Sequence, residues 1–142
     1  AGLTIKETNF AQFSNCFDEV LKTFITAEAM QDEHITDGEL STQDMCLSLA
    51  EAIQAAGPWG QSFPEPVFEG RFKMLDKRIV GGNHLKLRLQ LDNKVVDAIA
   101  FNVTDDDWPV GLDNIHSIYR LGINDYYQNK QLQLFIEHIH PF

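Results

Sequence analysis

The sequence has few of the features that mark secreted, membrane or metal-binding proteins. Only two of its 142 residues are cysteine, Cys16 and Cys46, and no Cys/His spacing typical of a metal site occurs. Each cysteine lies in a helix-like apolar pattern, so we expect both to be small core residues in a reducing compartment. No apolar run approaches the roughly 20 residues that a membrane helix needs, and no secretion signal is evident. We therefore expect a cytoplasmic protein.

Sequence patterns of catalysis are also missing. No Ser/His/Asp or Cys/His set, phosphate-cradling glycine loop or carboxylate pair stands out. Hydrophobic residues make up 44% of the chain, which is enough for a packed core. On its own residues the chain is typical of a binding module rather than of a complete enzyme.

Positive charge is scarce overall but is concentrated in one segment. The net charge is −10, which argues against a general nucleic-acid binder. Residues 1–60 hold two bases and ten acids, a sum of −8, whereas residues 71–104 hold seven bases and three acids, a sum of +4. A basic segment in an acidic chain acts locally, so a binding surface for an anion is expected there.

The first third of the chain has helical spacing. The opening AGLTI predicts a short strand, and residues 9–30 predict an amphipathic helix with Asn9 as its cap. Its wide apolar face, rich in phenylalanine, is expected to be core. A second helix is expected to begin at a cap on Ser41 or Thr42 and to end at Gly57-Pro58.

From residue 67 onward the apolar period changes from 3.6 to 2. The stretch HLKLRLQL alternates without error, and the outward set is His84, Lys86, Arg88 and Gln90. Gly81-Gly82-Asn83 and Asp92-Asn93 predict hairpin turns at its two ends. Five strands are expected in residues 67–142, a count that fits a small barrel better than a sandwich. Gly70 is a natural bend point in a long first strand that serves both sides of the barrel.

Basic side chains on two neighbouring strands are the sharpest feature of this region. They are Arg71, Lys73, Lys77 and Arg78 on the first strand and His84, Lys86 and Arg88 on the second. On a curved barrel they would form a cationic groove for phosphates. The alternative is a solvated strand face, on which basic residues also discourage edge pairing.

Aromatic side chains could add a second element to such a groove, because unpaired bases need flat stacking partners. The candidates are Phe101, Trp108, Tyr126 and Tyr127.

Two groups of residues could instead bind a metal ion. Asp105–Asp107 could hold Mg²⁺ or Mn²⁺, although a solvated loop or a helix cap on Thr104 is the alternative. His138 and His140 share one strand face, a spacing that two metal ligands can use, but no third ligand is evident, which favours exposed strand histidines. We expect no metal or cofactor in this chain.

Several motifs resemble one known family in the same order along the chain. AGLTI resembles the end of a Gly-Gly-His…Ala-Ala-Gly-Leu-Thr motif of the DHH-associated domain. FPEPVF, RIVGGNHLKLRL, DAIAFN and YRLGIN…LQLFIEHI resemble the C-terminal region of bacterial RecJ-type single-stranded-DNA-specific exonucleases. The resemblance covers the whole chain.

The resemblance implies an α+β fragment of a longer protein. Residues 1–57 would be the end of the DHH-associated domain, with two helices and short strands. The prolines of residues 58–66 themselves predict a rigid joint, in which we expect Trp59 and Phe63 to pack against the helix end or the barrel because they are costly to leave in water. Residues 67–142 would be a five-stranded oligonucleotide-binding (OB) fold.

The resemblance also implies a function. The parent enzyme would cut single-stranded DNA from 5′ to 3′ in recombination and repair, with Mn²⁺ or Mg²⁺ in an upstream domain that this chain lacks. The fragment would be monomeric and inactive alone, and would guide the strand through backbone contacts of Arg78, His84, Lys86 and Arg88. Two other interpretations stay open: a module that docks a partner such as single-strand binding protein, and an autonomous hydrolase using Asp105–Asp107 and the histidines.

Overall fold

The computed structural model describes residues 2–25, 33–103, 113–126 and 129–141. The chain divides into two compact units, Ala1–His34 and Ile35–Phe142. The predicted domain boundaries after residues 57 and 66 stay a prediction. Trp108 and Asp105–Asp107 lie outside the described residues, as do Tyr127 and the side chain of Tyr126.

The first unit contains helix α1 (Phe10–Phe24), which follows a single 3-10 turn at Glu7–Asn9. The strand predicted from AGLTI is wrong over its described part, residues 2–5, which pair with no other described strand. Asn9 occupies the N-cap position, but its side chain makes no capping hydrogen bond because its backbone is already close to helical, with φ −99° and ψ −5°.

The apolar face of α1 is exposed, so the prediction that it is core is wrong for this chain. Five large side chains on this helix are exposed: Phe10, Phe13, Phe17, Val20 and Phe24. Cys16 is also exposed, which corrects its assignment as a core residue. A helical period fixes which side chains share a face, but it does not say whether anything covers that face.

The second unit contains helix α2 (Leu47–Ala56), which starts later than its predicted cap. The Ser41 hydroxyl accepts a hydrogen bond from the Asp44 backbone N–H at 3.2 Å, but the residues that follow form turns. The N-cap is Cys46, a partly exposed residue and not a core one. Gly57 ends the helix as predicted.

Five strands form a closed barrel, which confirms the predicted fold class. They are β1 (Phe68–Val80), β2 (His84–Leu91), β3 (Lys94–Phe101), β4 (Asn114–Tyr126) and β5 (Asn129–Pro141). The order around the barrel is β1-β2-β3-β5-β4, with β3 and β5 parallel and the other neighbours antiparallel.

The turns before and after β2 confirm the hairpin predictions. Gly81 and Gly82 have φ of 61° and 85°, and Asp92 has φ of 52°, so all three adopt the left-handed conformation that such turns need. β1 serves both sides of the barrel as predicted, and it changes partner from β4 to β2 at Lys73, three residues beyond Gly70.

The core lies inside the barrel and extends to α2. Its largest fully buried side chains include Phe72 and Tyr119, and Met45 and Ile53 bring the helical segment into the same cluster. The first three leucines of β2 are completely buried, as their alternation predicts.

Side-chain contacts of Trp59 and Glu65 help to fix the segment between α2 and β1. The Trp59 indole N–H donates a hydrogen bond to the Ile53 carbonyl at 3.2 Å, so Trp59 packs against the helix end as predicted. Phe63 stacks on Trp59 with ring centroids 4.8 Å apart and remains 59% exposed, so its ring contact is with Trp59 rather than with the helix end or the barrel. Farther along, Glu65 accepts a hydrogen bond from Arg120 of β4 at 2.8 Å.

Arg120 ties this segment to the barrel as a cation between two carboxylates. Its Nε also lies 2.6 Å from Glu137, as an ion pair rather than an aligned hydrogen bond. Burial alone lowers the pKa of Arg120, but Glu65 and Glu137 together raise it above its ordinary value. The guanidinium therefore stays charged and holds Glu65 against the barrel.

No helix in the described ranges is long and apolar enough to cross a membrane.

Candidate nucleic-acid interface

The outer face of β2 carries the predicted polar row. His84, Lys86 and Arg88 alternate with the buried leucines, so all three project from the barrel on one side. The alternation of HLKLRLQL therefore positions these side chains as predicted.

A bulge in β1 decides which of its basic residues join that row. Between Met74 and Asp76 the pairing with β2 shifts by one residue. Beyond the bulge Arg78 lies opposite Lys86, whereas Lys77 lies opposite the inward-facing Leu87. Arg78 therefore belongs to the outer face, whereas Lys77 does not line the same cavity, and its part in DNA binding stays a prediction.

Arg71 and Lys73 lie before the bulge, at the other end of β1. Arg71 is paired with His116 of β4, and Lys73 lies opposite Gln90 of β2. Together with Asn114 these residues line a shallow cavity of about 360 Å³ that is lined by none of the three cations Arg78, Lys86 and Arg88. The predicted basic groove is thus divided between two cavities.

The outer stripe consists of the residues that line a second cavity, of about 270 Å³, and of the neighbouring rings of His84, Phe101 and Phe135. Its cations are Arg78, Lys86 and Arg88, and its acids are Asp76 and Asp97. Lys86 Nζ lies 2.9 Å from an Asp97 carboxylate oxygen, and Asp97 also lies directly across from Arg88. Three cations and two carboxylates leave a net charge of +1, so the stripe attracts phosphate only weakly at any one point.

The acidic members were not anticipated from the sequence, although the signal was present. Asp76 is the acid in the part of β1 that pairs with β2, and Asp97 is the acid in β3. Cross-strand pairing places each of them opposite Arg88. To find them from the sequence, the register of both hairpins is needed. The turn residues predict the register of β3 against β2, but the bulge in β1 prevents the same prediction for β1 against β2.

Aromatic rings lie at the end of the outer stripe. Phe101 is paired with His84 across the β2–β3 hairpin and is 50% exposed. Its ring lies 5.1 Å from the His84 ring and 5.8 Å from that of Phe135. Phe101 is therefore placed beside the basic row as predicted, and Phe135 is a member that the sequence did not single out.

The histidines of β5 do not form a metal site with other described residues. No group of three or more His, Cys, Asp or Glu side chains that could hold an ion occurs within the described ranges. His140 lies opposite His116, and His116 contacts Glu69 at 3.0 Å, so these side chains lie on the part of the barrel away from β2.

A further cavity of about 410 Å³ lies beside the start of α2. Apolar side chains including Met45, Leu47 and Leu132 line it, together with Lys94 and Lys130. Cys46 also lines it, and a hydrogen bond with Ser48 at 3.0 Å is the main cause that lowers the pKa of the Cys46 thiol.

Comparisons with known proteins agree with this architecture. Residues 36–138 match the family described as the RecJ OB domain. The single-stranded-DNA-specific exonucleases RecJ of Salmonella typhimurium and Escherichia coli are 40% and 38% identical over 144 residues, which is 99% of this chain and 25% of theirs. The chain thus spans about a quarter of the length of these curated relatives.

A solved structure shows the same fold. The crystal structure of RecJ in complex with Mn²⁺ from Thermus thermophilus aligns with a TM-score of 0.68 at 18% identity, over 98% of this chain and 20% of that one. From the closed five-stranded barrel and the family match over residues 36–138, we conclude that this chain belongs to the RecJ OB domain family.

Proposed function

We propose that this chain is the single-stranded-DNA-binding region of a RecJ-type 5′→3′ exonuclease that acts in recombination and repair in the cytoplasm. The observation that carries the proposal is the outer stripe, in which Arg78, Lys86 and Arg88 line one cavity and the half-exposed Phe101 contacts His84 at the end of the same row. Phosphates are bound by such cations, and unpaired bases stack on such rings. The same face of β2 and β3 is the usual ligand surface of OB folds.

Catalysis would belong to another part of the longer protein. The Thermus thermophilus RecJ was solved with Mn²⁺ and with Mg²⁺. We place the corresponding metal site outside this chain, whose role would be to hold and align the strand.

A charge-reversal titration tests the proposal. Fluorescence anisotropy of a labelled single-stranded oligonucleotide should show weak binding that Lys86→Glu with Arg88→Glu reduces by about tenfold or more. The matched control is Lys6→Glu with Lys22→Glu, which changes the net charge equally on the first unit. Equal losses in the two double variants, or no loss in either, would refute the assignment of the outer stripe.

A second candidate function is the docking of an acidic, partly apolar peptide such as the tail of single-strand binding protein. The cavity beside α2 favours it, because Lys94 and Lys130 line this cavity together with apolar side chains. Lys94 Nζ lies 3.2 Å from the Thr42 carbonyl, and Lys130 Nζ lies 4.0 Å from Glu51, so neither lysine is deeply buried in a strong ion pair. Such a peptide would use the lysines for its carboxylates and the apolar side chains of the cavity for its apolar residue.

Charge reversal at each site separates the two functions. A peptide that binds here should be released by Lys94→Glu with Lys130→Glu but not by Lys86→Glu with Arg88→Glu. The opposite pattern would move peptide binding to the outer stripe and leave the cavity without a role.

A further inference from the structure

Phe101 has no parallel ring neighbour among the described residues. The ring planes of His84 and Phe135 make angles of 76° and 65° with that of Phe101, so both contacts are T-shaped. Half of the Phe101 residue surface is exposed. The ring therefore offers aromatic surface to solvent in a position where a flat group can stack.

The Phe135 ring packs over Gly122, which has no side chain to obstruct it. A Cβ at Gly122 would lie 2.4 Å from the tip of the Phe135 ring, far closer than two carbon atoms can approach. The ring of β5 thus lies directly over the backbone of β4 and supports Phe101 from the side. Glycine at position 122 is the condition for this arrangement.

His84 is fixed by the backbone at the other side of Phe101. Its Nδ1 accepts a hydrogen bond from the Asn102 N–H at 3.2 Å. Asn102 has φ of 55°, and its side-chain oxygen accepts a second bond from the Asn83 amide at 3.2 Å. The β1–β2 turn is therefore tied to the end of β3, and the bond to His84 requires Nδ1 to be unprotonated.

We propose that Phe101, supported by Phe135 and His84, is the stacking site for one unpaired nucleobase. The proposal rests on the proposed function and adds its mode of recognition. Lys86 lies two residues from His84 along β2, about 7 Å away at the usual rise of a strand, where it can reach a phosphate next to the stacked base.

This geometry implies that the site accepts any base but only from a single strand. A phenylalanine ring has no hydrogen-bonding group with which to read a base edge, so stacking here is tolerant of sequence. Bases in a duplex already stack on their neighbours, and they would have to unstack to reach Phe101.

The test compares oligodeoxythymidylate with an abasic oligonucleotide of the same length, each titrated with the full chain at one salt concentration. We expect the wild type to bind the thymidylate about tenfold more tightly. Phe101→Leu should remove that preference and leave abasic binding unchanged, which also reports that the variant is folded. Phe63→Leu, which alters an exposed ring in the segment between α2 and β1, should change neither value.

The outcomes separate this proposal from the proposed function. Equal wild-type affinity for the two oligonucleotides, with both weakened by Arg88→Glu, overturns the stacking site and leaves the DNA-binding function in place. No binding of either overturns both.

A second measurement needs no variant. A 2-aminopurine base moved along the thymidylate should be quenched on binding, because stacking on an aromatic ring quenches it. Unchanged fluorescence at every position contradicts the proposal.

Discussion

At the scale of single residues, two carboxylates reduce the positive charge of the outer stripe. Asp97 holds Lys86 at 2.9 Å, and both side chains are partly exposed. Such a pair is worth only about 0.2–1 kcal/mol, so a phosphate can replace the carboxylate at little cost. In the proposed function, weak contacts of this kind suit a surface along which a DNA strand moves.

Removal of the Asp97 charge should therefore strengthen DNA binding. We expect Asp97→Asn to raise the affinity for single-stranded DNA by about two- to fivefold in anisotropy titrations at low salt, because Lys86 is then available to phosphate. Glu19→Gln removes one negative charge from α1 and serves as the control. Affinity that is unchanged or lower in Asp97→Asn would contradict this role.

The burial of the Tyr119 hydroxyl in the core is unfavourable for the stability of the fold. Its hydroxyl is buried and has no hydrogen-bond partner among the described residues. Burial is the main cause that raises the pKa of Tyr119 well above its ordinary value of 10, and the Glu39 carboxylate adds to it. The phenol therefore stays protonated in the folded barrel at pH values where an unfolded tyrosine ionises.

This difference predicts an alkaline loss of stability. Above pH 10 the unfolded chain binds fewer protons than the folded one, so the free energy of unfolding falls by up to about 1.4 kcal/mol per pH unit from this group. Tyr119→Phe should abolish that contribution and should be at least as stable as the wild type at about pH 8. Urea denaturation of both proteins at about pH 8 and about pH 11 gives the comparison, and equal losses in the two would refute the explanation.

At the scale of secondary-structure elements, the sequence predicts where a strand lies better than it predicts which of its residues point outward. Alternation located β2, and the glycines and Asp92 located its turns, because each signal is local. The bulge after Met74 has no such signal, and it moves Lys77 off the outer face and Arg78 onto it.

Helices show the same limit. Periodicity located both, but α2 begins at Leu47 because the preceding residues form turns, in which Ser41 and Asp44 bond to each other. The exposed face of α1 depends on what lies against the helix, which no spacing rule contains. The candidate site needed long-range register as well, since Phe135 joins Phe101 only through the parallel pairing of β3 and β5.

The contact between β4 and β5 gives a prediction at this scale. Gly122→Ala should lower the free energy of unfolding by about 1–3 kcal/mol, because the new methyl group overlaps the Phe135 ring. Phe135→Leu in the same chain should recover part of the loss, since leucine does not extend as far over position 122. Urea denaturation of the two single variants and the double variant measures the coupling, and strictly additive losses would contradict the contact.

At the scale of the whole molecule, charge is distributed unevenly along the chain. The first 60 residues sum to −8 and residues 71–104 to +4, so the proposed attraction to DNA is expected from one segment. The acidic remainder opposes binding at low salt, where charges act over longer distances. Because the chain spans only a quarter of the length of its relatives, we expect it to bind DNA weakly by itself.

The salt dependence of that weak binding tests the central claim most directly. If Arg78, Lys86 and Arg88 contact phosphates, the logarithm of the association constant for single-stranded DNA should fall with the logarithm of the salt concentration with a slope of about −2. Lys86→Glu with Arg88→Glu should reduce the slope toward zero. A wild-type affinity that does not change with salt, or a slope that the double variant leaves unchanged, would contradict a DNA-binding role for the outer stripe.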